Sequence, residues 1–344
     1  MEFVKGTALL LLVLAGFSLF SYKAPKGMKA MGALANAAVA SFLVEAFQKY
    51  VGGDIFNISF LGEVGSASGS MGGVVAASLV TLAMGVSPVY ALMMGAACAG
   101  LGMLPGFFAG YLMSFIVKKI EEKIPPGLDL LVTIIVATPL TRLIAVGADP
   151  VVDATLLNIG GIITETANAS PIMMGIILGG VITVVATAPL SSMALTAMLG
   201  LTGLPMAIGA LAVFGSSFMN FVLFHRMKFG DIRTTISVAV EPLTQADIIS
   251  ANPIPVYVTN FLGGACSGVI ISMFGLVNNV PGTATPFAGL AVMYGFNDPL
   301  EVTITALLCA AVSALCGYLG SIIFKNFKIK KAKHLTDQVT PESA

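Results

Sequence analysis

The segment Pro205–Phe224, PMAIGALAVFGSSFMNFVLF, contains no charged residue and is followed at once by His225 and Arg226. A helix needs about twenty mainly apolar residues to cross the hydrocarbon layer of a bilayer. Other long apolar segments follow the same pattern along the chain: Thr7–Tyr22, Ala30–Tyr50, Leu128–Val146, Pro171–Ala188, Pro255–Val277 and Pro299–Phe324. We therefore predict an all-α, polytopic membrane protein, whose first span is retained rather than cleaved as a secretory signal.

The charge content agrees with this prediction. Only 10% of the 344 residues are charged, whereas soluble proteins carry about 25%. The 17 basic and 17 acidic residues balance, so no net field favours nucleic acid as a partner. Most of the basic residues fall into four clusters: Lys23/Lys26/Lys29, Lys118/Lys119/Lys123, Arg226/Lys228/Arg233 and Lys325/Lys328/Lys330/Lys331/Lys333. Because cytoplasmic loops are enriched in Lys and Arg, we place all four clusters and the C-terminus in the cytoplasm.

Gly and Pro interrupt several apolar stretches. Between Ser70 and Val117 the chain is broken at Gly85–Pro88 and Gly102–Pro105, which fits three short passes or one pass plus a re-entrant hairpin. The short stretch Ser191–Leu204 predicts a half-helix. Broken helices leave backbone groups that need protein or a watery cavity around them, a feature typical of transporters and channels.

These patterns lead to a prediction for the whole chain. We expect roughly ten transmembrane helices, some of them broken or re-entrant. Residues 1–324 would form a single membrane-embedded permease domain, and residues 325–344 a basic and polar cytoplasmic tail.

A polar segment at residues 240–253 is the first candidate binding site. Glu241 and Gln245 combine a carboxylate with a primary amide, and such groups can pair with the vicinal hydroxyls of a sugar. An ordinary cytoplasmic surface loop after Arg233 would explain the same residues, so both interpretations stay open.

The second candidate segment, residues 278–286, is uncharged and carries Asn278, Asn279 and Thr283. Amide and hydroxyl groups suit a neutral polyol. A simple turn would also use Asn, Pro and Gly, so the sequence alone does not separate the two interpretations.

Helix breaks supply two further candidates. Ser191 and Ser192 follow a Pro-broken point and would start a helix near its positive end, although capping alone would explain them. Glu165 lies in the polar stretch at residues 161–168, which Asp149 and Asp153 precede. Arg142, deep in an apolar run, would either pair with a nearby acid such as Asp149 or face an anionic substrate.

No pattern indicates a metal or an organic cofactor. The four cysteines have no C-x-x-C spacing and lie in apolar segments, where we expect them to act as small packing residues. We therefore predict neither a metal site nor a cofactor.

Several short motifs together carry a resemblance to a known family. Thr187-Ala-Pro-Leu-Ser-Ser192 matches a small-x-Pro-aliphatic-Ser-Ser signature, and Leu199-Gly-Leu-Thr-Gly-Leu204 follows at the expected distance. Gln245, Ile249 and Asn252-Pro253 match a Gln-x-x-x-Ile-x-x-Asn-Pro pattern, and Asn278-Asn279 precede the final Gly-rich segment. Over roughly residues 25–325 the chain resembles the sugar permease component, subunit IIC, of bacterial phosphotransferase systems. Within that family it is similar to the branch also described as pore-forming-toxin regulator-like.

One position departs from the pattern of that branch. Where many members carry Gly-Thr-Ser, this chain has Val240-Glu241-Pro242. An acid followed by Pro is similar to a sugar-binding motif of the wider permease superfamily, and Thr164-Glu165 echoes the same motif without its Pro. The resemblance leaves open which of the two acids contacts a substrate.

The resemblance implies a homodimer in the bacterial inner membrane, with a mobile transport domain and a scaffold domain, served by separate IIB and IIA phosphocarrier subunits. The phosphorylated cysteine and histidine of those subunits have no counterpart here, so we expect no catalytic residues for phosphoryl transfer in this chain. The scarcity of buried cations favours an uncharged solute. The leading hypothesis is a permease for a neutral carbohydrate, bound by residues drawn from this set: Ser191, Ser192, Glu241, Gln245, Asn278, Asn279, Thr283 and Glu165.

Two other functions fit the same residues. One is a secondary transporter driven by protons or sodium, with Glu165 or Glu241 as the coupling carboxylate. The other is a membrane sensor or regulator that binds a solute without transporting it.

Overall fold

The computed structural model describes residues 2–167, 170–190, 192–199 and 201–330, and the regular elements in that part of the chain are helices. The α-helices, numbered in chain order, are α1 (Glu2–Lys23), α2 (Gly27–Ala38), α3 (Ser59–Ser70), α4 (Gly72–Ala83), α5 (Pro88–Ala97), α6 (Met103–Lys123), α7 (Leu128–Val132), α8 (Thr138–Ala167), α9 (Pro171–Thr187), α10 (Ser192–Met198), α11 (Gly203–Met227), α12 (Ile232–Val240), α13 (Ala246–Ala251), α14 (Pro253–Phe274), α15 (Pro286–Met293) and α16 (Pro299–Ile323). The predicted all-α class is confirmed.

Other helical turns connect some of these elements. Helix α2 continues through π-helical turns at Val39–Leu43 and Ala46–Ile55. A further π-helical segment, Thr133–Ala137, joins α7 to α8, and a 3-10 turn, Pro242–Gln245, precedes α13. π-Helical turns are rare and are frequently found at functional sites.

The number of membrane spans is lower than the roughly ten predicted. Within the described residues, six helices are long and apolar enough to cross a bilayer, or seven if α3 and α4, bent by 53°, form one broken span. The six are Gly27–Asp54, Met103–Lys123, Leu128–Asn158, Gly203–Met227, Pro253–Phe274 and Pro299–Ile323. The predicted spans Thr7–Tyr22 and Pro171–Ala188 correspond to the apolar helices Ala8–Lys23 and Pro171–Thr187, which are shorter than 18 residues within the described part of the chain. Helix α5, for which a short pass was one of the two interpretations, has 10 residues and a length of about 15 Å, roughly half the thickness of the hydrocarbon layer.

The first two basic clusters meet at one end of the molecule. Lys26, in the turn between α1 and α2, donates a hydrogen bond of 2.9 Å to the carbonyl of Met84 at the end of α4. Lys118 of α6 lies beside the same turn, at Gly85. The turn after α4 and the turn between α1 and α2 therefore lie side by side.

The other two clusters are tied to the same end. The ammonium of Lys330 lies 3.6 Å from the centroid of the Tyr22 ring, one residue before the first cluster. Arg226, at the end of α11, donates a hydrogen bond of 2.8 Å to the hydroxyl of Ser321 near the end of α16. We call this end, which carries Lys26, Lys118, Arg226 and Lys330, the basic end.

The stretch between α4 and α6 contains a short helix, α5, followed by a tight turn. Helix α5 starts at Pro88, close to the basic end, and its length of about 15 Å is half the thickness of the apolar layer of a bilayer. The chain then turns, and the carbonyls of Leu101 and Gly102 lie against Gly73 at the start of α4. The short α5 agrees with the interpretation of one pass plus a re-entrant hairpin.

Arg142 of α8 stabilises the turn after α5. Its guanidinium donates to the carbonyl oxygens of Ala97 and Ala99, at 3.2 Å and 2.6 Å. Carbonyls at a helix C-terminus lack intrahelical donors and carry the negative end of the helix dipole. Among the described residues, the cation therefore satisfies a helix end, instead of the predicted contact with an acid or an anionic substrate.

The helices pack as two groups that meet along a seam. Helices α1, α2, α4, α5, α6 and α8 form an N-terminal bundle, and α9, α11, α14, α15 and α16 form a C-terminal bundle. The short elements cross the seam: α13 packs against α1 and α2, the 3-10 turn against α2, and the π-helical segment Ala46–Ile55 against α15.

Glycines allow the closest packing inside the C-terminal bundle. A Cβ atom added at Gly175 or Gly179 of α9 would overlap the backbone of Gly268 or Gly264 of α14. Small residues spaced four apart let helix backbones approach closely in membranes. These two glycine pairs thus fix the contact between α9 and α14.

Candidate functional site

A small hollow lies on the seam between the two bundles. Its lining combines α2 and its π-helical turn with the start of α10, the 3-10 turn and the loop before α15: Ala38, Phe42, Ser192, Met193, Glu241, Leu243, Ala284 and Thr285. The hollow has a volume of about 10 Å³, which is room for about one water molecule. It is closed to anything larger in this conformation.

Glu241 supplies the carboxyl group of the hollow. The residue follows α12 and is 92% buried. Its Oε2 accepts from the hydroxyl of Thr285 at 3.3 Å, and its Oε1 accepts from the backbone N–H of Leu243 at 3.5 Å. Both distances exceed the usual range of hydrogen bonds to oxygen, and a carboxylate has about four acceptor sites. The carboxyl group therefore retains acceptor capacity toward the hollow.

The two hydroxyl groups beside Glu241 belong to residues at the N-termini of helices α15 and α10. Thr285 is the N-cap residue of α15, and its hydroxyl turns to Glu241 instead of capping the helix. Ser192, the first residue of α10, donates a hydrogen bond of 2.7 Å to the carbonyl of Ala284. This bond connects the start of α10 to the loop before α15, which carries Thr285.

Asn278 and Thr283 hold the shape of that loop. The amide of Asn278 donates to the Thr283 hydroxyl at 2.9 Å and accepts from the N–H of Val280 at 3.0 Å. The backbone N–H of Asn278 also donates to the carbonyl of Gly203 at the start of α11, at 3.1 Å. Both side chains are fully buried and bonded within the loop, so in this conformation they position Ala284 and Thr285.

The other predicted site residues do not line the hollow, or they lie outside the described residues. Gln245 is buried in the 3-10 turn next to the hollow, and its amide donates to the Thr244 hydroxyl at 3.4 Å. Asn279 is exposed. Glu165 lies in α8, but its side chain falls outside the described residues, as does Ser191 altogether.

Thr285 and Phe42 also line the hollow, and the sequence analysis did not single them out. Thr285 stood in the second polar segment and was not singled out, although its place before Pro286 marks it as an N-cap candidate. Phe42 lies in the middle of a predicted span, where an aromatic residue is ordinary. Its position depends on the π-helical turn, which periodicity does not reveal.

A larger cavity of about 220 Å³ adjoins the hollow. Ala38, Phe42 and Leu243 line both spaces. The remaining walls of the cavity are almost wholly apolar, and its carboxylates come from Asp149 and Asp153, one turn apart on α8. Ligand pockets are typically of this kind, mainly apolar with a few placed polar groups.

The described part of the chain contains no group of three or more His, Cys, Asp or Glu side chains arranged to hold a metal ion. At the hollow, the carboxyl group of Glu241 and the hydroxyls of Ser192 and Thr285 take part in hydrogen bonds.

Comparison with known proteins adds the family. Residues 28–336, most of the chain, match the family model described as phosphotransferase system, EIIC. No curated protein and no solved structure matches the chain. The match agrees with a multi-pass helical membrane architecture. The chain belongs to the EIIC family of the phosphotransferase system, the membrane permeases of that system.

Proposed function

We propose that this permease binds a neutral carbohydrate at the hollow and carries it across the bacterial inner membrane. Family membership implies partnership with IIB and IIA phosphocarrier subunits, and in this proposal those separate subunits phosphorylate the sugar. The protein would act as a homodimer with the basic end and the C-terminus in the cytoplasm. Residues 1–324 would form the permease domain and residues 325–344 its cytoplasmic tail.

The proposal rests mainly on the incomplete hydrogen bonding of the buried Glu241 carboxyl group. A buried carboxyl group usually has short hydrogen bonds to all the partners it can reach, because leaving acceptors unmet is costly. Among the described residues it has two long bonds, to Thr285 and Leu243, and it faces the seam between the bundles. Sugar hydroxyls would fill the remaining acceptor positions, and the carboxyl would orient the hydroxyl that receives the phosphoryl group.

The charge of the lining supports a neutral ligand. No Lys, Arg or His is among the described residues that line the hollow, while Glu241 is. An anionic ligand would meet a carboxylate without a compensating cation, which is unfavourable in a buried site. A polyol needs only donors and acceptors.

The remaining predicted residues have places in this proposal. Gln245 would turn toward the sugar when the hollow widens, and Asn278 with Thr283 would hold the loop. Ser191 and Ser192 would contribute at the start of α10. Asn279 and Glu165 are kept as candidates that the same binding experiment tests.

The test is equilibrium binding to the full-length protein in lipid nanodiscs, with a radiolabelled panel of hexoses, hexitols and disaccharides. Glu241→Gln keeps the size of the side chain but removes charge-assisted hydrogen bonds, worth about 1.5–3 kcal/mol. We therefore expect the affinity for the bound sugar to fall by about tenfold or more. The matched control is Glu63→Gln on α3, where the side chain is exposed.

Equal binding by the Glu241→Gln variant and the native protein would contradict the proposed site. Uptake into membrane vesicles then separates the rival functions. Uptake that depends on phosphoenolpyruvate and soluble phosphocarriers supports the permease. Uptake driven by a proton or sodium gradient without them would indicate a secondary transporter, and binding without uptake would indicate a sensor.

A further inference from the structure

The hollow at Glu241 is too small for the ligand that its chemistry suits. It holds about one water molecule, whereas the adjoining cavity is about 220 Å³ in volume. Both spaces share a wall made by Ala38, Phe42 and Leu243. A sugar can occupy the hollow only if this wall changes.

Phe42 is the part of the wall with room to move. Ala38 has no side-chain rotation that would open a passage, and Leu243 is held in the 3-10 turn that also carries the amide bonded to Glu241. Phe42 is only half-buried and lies in the π-helical turn Val39–Leu43. Its ring packs between the main core and the small cluster of Tyr50, Met193, Ala288 and Val292.

We propose that the complete substrate site is the union of the hollow and the larger cavity, and that the Phe42 side chain is the movable wall between them. This inference rests on the proposed function, because it assigns the rest of the site for the same sugar. With the ring turned aside, Glu241, Ser192 and Thr285 form one end of a continuous space, and Asp149 with Asp153 forms the other.

The shape of the merged space defines the class of ligand. Carboxylates and hydroxyls at its two ends suit the hydroxyls of a sugar, and the apolar middle suits a face that presents C–H groups. A ring sugar has both, and the Phe42 ring would then lie against its C–H face. An acyclic polyol lacks such a face, so Phe42 would favour pyranoses over hexitols.

The wall can be tested without any sugar. In full-length protein in nanodiscs, Ser192→Cys places a thiol in the hollow, and its alkylation by N-ethylmaleimide is followed by mass spectrometry of the peptide that contains it. The native cysteines lie in other peptides of the digest, so their alkylation does not affect the measurement at position 192. Because an open state of a protein commonly makes up about 0.1–10% of molecules, permanent removal of the wall by Phe42→Ala should raise the labelling rate about tenfold or more.

Two further variants make the result specific. Leu79→Ala on α4 shortens a half-buried residue that packs against the main core and is not among the described residues lining either space, so its labelling rate should stay within about twofold of the parent. Phe42→Leu keeps an apolar core residue and should label at an intermediate rate, which guards against misfolding of the alanine variant. The movable wall would be overturned if Phe42→Ala and Phe42→Leu labelled no faster than the parent. It would also be overturned if Leu79→Ala accelerated labelling as much as Phe42→Ala.

Binding of the sugar panel separates this inference from the proposed function. If Glu241→Gln abolishes binding but Phe42→Ala changes the affinities for pyranoses and hexitols equally, the proposed function stands and the assignment of Phe42 fails. If Glu241→Gln has no effect while Ser192→Cys labelling still depends on Phe42, the proposed function fails and the wall stands.

Discussion

Replacing Gly268 by alanine should separate α9 from α14 and destabilise the C-terminal bundle. The added Cβ would overlap the carbonyl oxygen of Gly175 and lie 2.7 Å from its carbonyl carbon. Carbon atoms in good contact are about 3.5–4.0 Å apart, so the helices must move by roughly 1 Å. A gap of that size forfeits a quarter to a half of the attraction between the atoms along the contact.

The expected magnitude follows from two opposing effects. Overpacking of this kind costs about 3 kcal/mol, at the upper end of its usual range, because both partners are backbone atoms. The better helix propensity of alanine returns about 1 kcal/mol. We expect a net loss of about 2 kcal/mol in the free energy of unfolding, the difference of these two estimates.

The assay is pulse proteolysis across an SDS titration in mixed micelles. The matched control is Gly147→Ala on α8, where an added Cβ meets no atom within 4 Å. The control should be as stable as the native protein or slightly more stable. If Gly268→Ala matched Gly147→Ala in stability, the close α9–α14 contact would be refuted.

Three further perturbations test other parts of the structure. Asn252→Ala removes two hydrogen bonds, of 2.7 Å and 2.8 Å, to the backbone of Lys330. Trypsin should therefore cleave the start of the tail about tenfold faster, and an unchanged cleavage rate would contradict the contact between Asn252 and Lys330. Asn220→Leu removes both bonds between the buried side-chain amides of Asn220 and Asn260, although Asn260 keeps its bond to the carbonyl of Val256. The loss should be about 1–2 kcal/mol in the same SDS titration, and the double variant Asn220→Leu/Asn260→Leu should lose less than twice that amount. A thiol introduced by Lys228→Cys should react with an impermeant maleimide in inside-out vesicles only, and reaction in right-side-out vesicles would reverse the proposed orientation.

The sequence predicted the long helices well because their signal is local. The uncharged segment Pro205–Phe224 lies inside α11, and the Gly and Pro positions correctly indicated broken helices. The predicted number of spans was too high because local hydrophobicity does not show where a chain turns back. A short apolar helix such as α5 resembles a span in sequence, and the turn that follows it is seen in contacts with Gly73 and Arg142.

The candidate site was predicted in part. Ser192 and Glu241 come from two of the predicted segments and meet at one hollow, although 49 positions separate them in the sequence. The partner that bonds Glu241, Thr285, belonged to a predicted segment but was not distinguished from its polar neighbours. Phe42 could not be predicted, because its role depends on a wall between two spaces that exists only in three dimensions.

The most direct test of the central claim is a cryo-electron microscopy structure of the nanodisc-embedded protein, determined with the sugar that it binds most tightly. We expect ligand density on the seam between the bundles, within hydrogen-bonding distance of Glu241 and Thr285. Density enclosed by other helices, with Glu241 still bonded only to Thr285 and Leu243, would contradict the account.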